Sequence, residues 1–143
     1  MSIHTGGGND SLTLDRNNRL LNVSLTTGQG NDVLTVRRSN DFGGLTMSTA
    51  VGNDTISIAQ SQRLTDVALK TGSGNDTTTV DRSEITSFVT HLAAGNDSCI
   101  HRRSTFHGRL VTMGGQGFDQ MTSTSNTVPT DPLPRFLGFE WVG

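Results

Sequence analysis

The sequence predicts an all-β fold, a right-handed parallel β-helix (β-solenoid) of about six coils of 22 residues. Three observations predict it. A Gly-Asn-Asp turn returns at a fixed interval, apolar residues alternate with polar ones on both sides of each turn, and the composition is rich in turn-formers. Only 31% of the 143 residues are hydrophobic, against 17 glycines, low for an ordinary globular domain. Disorder would pair low hydrophobicity with high net charge. The net charge here is -2 and the apolar residues are regularly placed, so a thin core is the better reading.

The turn comes first. Six segments align: Thr5-Gly6-Gly7-Gly8-Asn9-Asp10, Thr27-Gly28-Gln29-Gly30-Asn31-Asp32 and Thr49-Ala50-Val51-Gly52-Asn53-Asp54 are three of them. The others are Thr71-Gly72-Ser73-Gly74-Asn75-Asp76, Leu92-Ala93-Ala94-Gly95-Asn96-Asp97 and Gly114-Gly115-Gln116-Gly117-Phe118-Asp119. Their aspartates are separated by 22, 22, 22, 21 and 22 residues. Composition bias alone does not hold such a phase. The 21-residue interval points to a one-residue deletion in a turn.

The strands follow from the flanks. Two and four residues after each Asp stand Leu12 and Leu14, Leu34 and Val36, Ile56 and Ile58, Thr78 and Val80. Nine and seven residues before it stand Val23 and Leu25, Leu45 and Met47, Val67 and Leu69, Phe88 and Thr90, Leu110 and Thr112. Both sets alternate with polar residues, the period of a strand buried on one face. A third column, Leu20, Phe42, Leu64, Ile85 and Phe106, suggests a brief third strand. One repeat cannot bury its own apolar face, so the repeats must stack, with parallel strands about 4.8 Å apart. Right-handedness follows from the bias of parallel crossovers.

The repeats span residues 1–125, and 126–143 reads as a C-terminal cap or tail. Val128-Pro129-Thr130-Asp131-Pro132-Leu133-Pro134 is too proline-rich to join a ladder. Phe136, Leu137, Phe139, Trp141 and Val142 would cover the last rung's open edge. No such cap is visible at the N-terminal edge, which leaves self-association open there. The chain starts inside a repeat, as a fragment would, and no signal peptide is visible.

The turn residues are the candidate site. Gly8, Gly30, Gly52, Gly74, Gly95 and Gly117 suit positive φ, and Asn9, Asn31, Asn53, Asn75 and Asn96 tolerate the same region and bond their own backbone. The unbroken Asp file is more informative. Carboxylates stacked at rung spacing repel by about 1 kcal/mol per pair in water and more at lower dielectric. Either each Asp accepts backbone N–H bonds inside its turn, or cations sit between rungs. Calcium suits the second option, taking six to eight oxygens from carboxylates and carbonyls alike.

Here a resemblance enters. Gly114-Gly115-Gln116-Gly117-Phe118-Asp119-Gln120-Met121 resembles the calcium-binding repeat of RTX proteins. The turns at Asp32 and Asp76 look like a variant, x-G-x-G-N-D, of RTX-type adhesins and of repeats in bacterial surface proteins. The resemblance implies a secreted or cell-surface location, a single calcium row, and Asp10, Asp32, Asp54, Asp76, Asp97 and Asp119 as ligands. It departs from RTX rolls in having one such turn per 22-residue coil. Ala50-Val51 and Ala93-Ala94 replace glycine-containing pairs, which would distort the ligand backbone in coils three and five. A metal-free turn stays the alternative.

Thr13, Thr35, Ser57, Thr79 and Thr122 form an outward column, interrupted by Ile100. It is a candidate glycan- or ice-binding face, although threonine also simply suits a solvated strand. The ice-binding relatives would carry Thr within the turn, where this chain has Gly7, Gln29, Val51, Ser73, Ala94 and Gln116. Arg16, Arg38, Arg82 and Arg103 share a column with Gln60, and Asp15 and Asp81 lie beside it. So few arginines on one short edge read as a solvated edge, not as a nucleic-acid site. No apolar run is long enough for membrane insertion. A polysaccharide lyase-like β-helix needs a cleft of convergent groups, and repetitive columns build none. His4, His91, His101 and His107 share no column, and His101 and Cys99 fall in inward positions, as core substitutions would. The expectation is a non-catalytic structural repeat module, with calcium or no metal.

Overall fold

The computed structural model describes residues 1–130 and 132–140, so Trp141 and Val142 of the expected cap lie outside the described residues. The described residues form strands and turns only. In chain order the strands are β1 (Ser2–His4), β2 (Ser11–Asp15), β3 (Leu21–Thr26), β4 (Val33–Arg37), β5 (Gly43–Ser48), β6 (Thr55–Ala59), β7 (Thr65–Lys70) and β8 (Thr77–Asp81). There follow β9 (Glu84–Ile85), β10 (Phe88–Ala94), β11 (Ser98–Arg102), β12 (Thr105–Phe106), β13 (Leu110–Gln116), β14 (Gln120–Thr124) and β15 (Arg135–Leu137).

They stack as a parallel β-solenoid of about six coils. Each coil contributes one strand to a seven-stranded sheet, order β1-β3-β5-β7-β10-β13-β15, and one to a six-stranded sheet, order β2-β4-β6-β8-β11-β14. The Gly-Asn-Asp turn joins the two strands within a coil, and a second turn returns the chain to the first sheet. Register follows the sequence phase: Leu12, Leu34, Ile56, Thr78, Cys99 and Met121 stand in one column. Ile3, Leu25, Met47, Leu69, Thr90, Thr112 and Phe136 stand in the facing one.

Between the sheets lies a narrow core, in which Leu25, Leu34, Leu45, Ile56, Ile58, Leu64 and Phe88 are fully buried. The alternation that makes each strand amphipathic places these residues inside and their neighbours outside. The third apolar column is buried too from Phe42 onward, and closes the core's third side. It forms a true strand pair only at β9 and β12; elsewhere isolated bridges such as Asn18 to Asn40 and Asn40 to Gln62 take its place.

The 21-residue interval explains that difference. In coils one to three, Arg19, Asp41 and Arg63 precede the third-column residue with φ of 58°, 59° and 53°. In coil four the chain passes from Ser83 through Glu84 directly to Ile85, which pairs with Leu64, so the left-handed residue is the one deleted. Without that kink the return segment lies straight enough for a ladder. Coil five keeps the shorter corner and lengthens the next turn, through His107, Gly108 and Arg109, before β13.

The tail lies against the last rung. Among the described residues, Val128, Pro129, Thr130, Pro132, Leu133 and Pro134 stay out of the sheets, and Arg135–Leu137 adds a seventh strand to the first sheet, pairing Phe136 with Thr112. The Glu140 amide then donates to the Asp119 carbonyl at 2.9 Å.

Candidate functional site: the aspartate file

The Gly-Asn-Asp turns stack directly on one another. Their glycines have φ between 115° and 144°, a region that L side chains avoid. There is a second constraint. A Cβ on Gly30, Gly52, Gly74, Gly95 or Gly117 would overlap the glycine carbonyl of the preceding coil. The backbone thus comes as close between rungs as the absence of a side chain allows.

Within this edge the asparagines and aspartates separate. The Asn side chains are exposed and form one ladder, each Oδ1 accepting the backbone N–H of the equivalent residue one coil later: Asn9 from Asn31, Asn31 from Asn53, Asn53 from Asn75, Asn75 from Asn96, Asn96 from Phe118, at 2.7–2.9 Å. The Asp side chains turn inward. Asp32, Asp54, Asp76, Asp97 and Asp119 are 0–2% exposed, and Asp10 in the first coil is half-buried. Their ladder runs the opposite way: each Asp N–H donates to Oδ1 of the Asp one coil later, at 2.8–2.9 Å from Asp10 through Asp97. One carboxylate oxygen is thus satisfied between turns, an arrangement that neither alternative read from the sequence, bonds inside each turn or cations between rungs, contained.

That ladder accounts for one oxygen of each carboxylate. The other, Oδ2 of Asp10, Asp32, Asp54, Asp76, Asp97 and Asp119, is buried without a hydrogen-bond partner. A buried unsatisfied carboxylate oxygen is costly, and here six recur in file. Beside them runs a column formed by the first residue of the turn. Thr27, Thr49 and Thr71 are buried, and the hydroxyls of Thr5, Thr27 and Thr49 also lack partners. Thr71 Oγ1 donates to the Leu92 carbonyl. It also lies near enough to Asp76 to favour its charged form. The signal that could have exposed this column was its phase, four times Thr at five residues before Asp.

The electrostatics follow from burial. Desolvation is the first cause raising Asp97 to about 6, with the Asp76 and Asp119 charges adding to it against the Asp76 N–H. Desolvation likewise raises Asp76, opposed by the Asp54 N–H and the Thr71 hydroxyl. Asp76 and Asp97 therefore hold their protons more tightly than free aspartate does.

The donor set fits a hard cation: carboxylate and hydroxyl oxygens, desolvated, with no thiolate or imidazole among them. Among the described residues no three acidic, His or Cys side chains converge into a cage. Any such ion would therefore lie between two carboxylates and complete its shell with hydroxyl, backbone or water oxygens. At this position the last two coils differ from the others: Ala93 has φ of 85° and its register partner Gly115 125°, whereas Ala50 in coil three is not in the left-handed region.

The remaining candidates are spread along the rod. Thr13, Thr35, Ser57, Thr79, Ile100 and Thr122 stand in register on the outer surface of the second sheet. The arginine column occupies left-handed corners, with φ of 49–56° at Arg16, Arg38, Gln60, Arg82 and Arg103. Arg38 pairs with Asp15 at 2.6 Å and Arg103 with Asp81 at 2.8 Å. Arg38 and Arg103 thus each bind an aspartate one coil back. His101 and Cys99 are buried in the core 3.4 Å apart, and His107 meets Glu84 at 2.7 Å on the exposed return edge.

No family model, curated protein or solved structure matches this chain.

Proposed function

We propose that the chain is a non-catalytic structural module, a short stiff rod of a secreted or cell-surface protein, whose aspartate file takes calcium ions between rungs. The reading rests on one observation, the six buried Oδ2 atoms that lack hydrogen-bond partners, in file. Repulsion and desolvation along such a file need an opposite charge or a proton. A divalent cation between rungs supplies that charge, and each coil's Asp helps to hold the coils on either side. Asp32, Asp54, Asp76 and Asp97 would hold it most completely, with Thr27, Thr49 and Thr71 beside them. Repetition supports a mechanical role, because equivalent side chains recur along the rod and do not converge on one point.

Thermal unfolding at neutral pH with calcium and then with chelator tests this. Calcium at about 100-fold over its Kd adds about 2.7 kcal/mol per site, enough to raise the Tm by roughly 10 °C. Asp54→Asn, which keeps the Oδ1 acceptor but removes the charge, should lose much of that gain. An identical Tm in calcium and chelator would refute the cation row.

A further inference from the structure

Charge is not spread evenly around the coil. The Asp file gathers acidic residues before the second-sheet strands, and arginines gather at the far end of the same strands. The sequence shows one column of four arginines there, and the strand ends add two more. Arg37 closes β4 and Arg102 closes β11, both exposed. Arg37 stands in register with Asp15, and Arg102 with Asp81.

The arrangement is duplicated. Asp15-Arg16 in coil one is followed one coil on by Arg37-Arg38, and Asp81-Arg82 in coil four by Arg102-Arg103. Between the two groups coil three carries the neutral pair Ala59-Gln60, with Ala59 in register with both Arg37 and Asp81. The groups are three rungs apart, about 14 Å along the rod.

In each group one carboxylate serves three guanidiniums. Asp15 accepts from Nε and Nη2 of Arg38 at 2.9 and 2.6 Å, and Arg37 lies at 3.4 Å. The Arg38 bonds first, then the charges of Arg38, Arg37 and Arg16, hold Asp15 below the usual carboxylate range despite some desolvation. Asp81 accepts from Arg103 through Oδ1 alone. Among the described residues Arg82 and Arg102 have no ion pair. Each ion pair there joins an acid to a cation one coil later, and the coil before Arg82 offers only Ala59 and Gln60. Nor does the fold ask for arginine at the corner, since Gln60 and Ser125 take the same conformation, with φ of 52° and 55°. Like charges held this close repel, and an anion from outside would relieve them.

We infer that this edge binds an acidic polysaccharide, laid along the rod so that its carboxylate or sulfate groups meet both arginine groups. Guanidinium forks match such oxyanions two bonds at a time. A small anion reaches one group only, whereas an extended polyanion reaches both. Beside the arginines the amides of Asn18, Asn40 and Gln62 stand in one bridged column, offering donors and acceptors to sugar hydroxyls. No aromatic residue stands in these columns, so nucleic-acid bases find no stacking platform. The edge is separate from the Asp file and works with or without cations there.

Titration calorimetry of the full chain in chelator at low salt tests it, with polygalacturonate and dextran sulfate as probes. Binding to at least one probe is expected, weakening as salt rises. Arg37→Gln, Arg82→Gln and Arg102→Gln combined, at three exposed positions, should weaken it at least ~tenfold with no loss of Tm. The charge-matched combination Lys70→Gln, Arg109→Gln and Arg135→Gln should bind as the parent does. Binding of polygalacturonate alone identifies carboxylates as the recognised groups, and of dextran sulfate alone, sulfates. Failure of both probes overturns the inference, and so does equal loss in the two triple variants. Polyadenylate or polyglutamate binding as tightly at equal charge overturns the polysaccharide in favour of a nucleic acid or an acidic peptide.

Discussion

Coils two and three differ from coils five and six in what they bury. The earlier pair fills its inward columns with Val23, Leu25, Leu34, Val36, Leu45, Met47, Ile56 and Ile58. The later pair places Thr90, Cys99, His101 and Thr112 in the same columns, and Thr78 in coil four begins the change. The hydroxyls of Thr78, Thr90 and Thr112 and the Nδ1 atom of His101 have no hydrogen-bond partners. Yet the register is the same throughout. Backbone ladders and the Asp file carry the stacking where the core is imperfect, and the apolar coils supply the stability that tolerates it.

Exchanging the two chemistries within one column tests that division most strongly. Ile56 and Thr78 are register partners. Ile56→Thr should lower stability by about 2 kcal/mol, since it buries an unpaired hydroxyl and removes apolar contact. Thr78→Val, which keeps the shape and removes the hydroxyl, should raise it by about 1 kcal/mol. Urea midpoints measure both. If both variants shift in the same direction, the columns are not equivalent and the comparison fails.

A smaller effect lies in the pH dependence. Burial between Phe88 and Phe106, whose ring centroids lie 5.2 Å from that of His101, pushes His101 down to about 4. The unfolded chain therefore takes up that proton first, and stability falls as pH drops from about 6.5 toward 4. Asp97 acts in the opposite sense. Raised to about 6, it binds its proton more tightly when folded, so stability rises as pH drops from about 6 toward 4. In chelator the two oppose each other and the profile is flat. His101→Val, matching Val36 and Val80 in its column, should unmask the Asp97 contribution, and Tm should then increase between pH 7 and 4.5. A Tm that falls with pH in this variant would show that Asp97 is not holding its proton.

The sequence made the coil and its columns legible because stacking converts a period into a contact. Any residue recurring at 22 is placed above its equivalent, so Leu34 over Ile56 and Asp32 over Asp54 could be read before any coordinate. What happens inside a rung was less visible. The left-handed corners at Arg16, Arg38 and Arg82 carry no glycine signal, because the ladder imposes a conformation that arginine does not favour. The inward turn of the carboxylates, and the opposite polarity of the Asn and Asp ladders, depend on side-chain torsions that a column of letters does not contain. That the tail covers the last rung's edge was legible from its apolar residues beyond the prolines, but not that Arg135–Leu137 does so as a paired strand, because so short an apolar run carries no strand period.

The central claim is that the unpartnered carboxylate oxygens face a cation. A crystal grown in calcium, with diffraction recorded where calcium scatters anomalously, tests it most directly. The account predicts a row of anomalous peaks beside Asp32, Asp54, Asp76 and Asp97, spaced about 4.8 Å apart like the rungs. Density with no anomalous peak along that edge, and each Oδ2 atom bonded to a protein hydroxyl or amide, would contradict it.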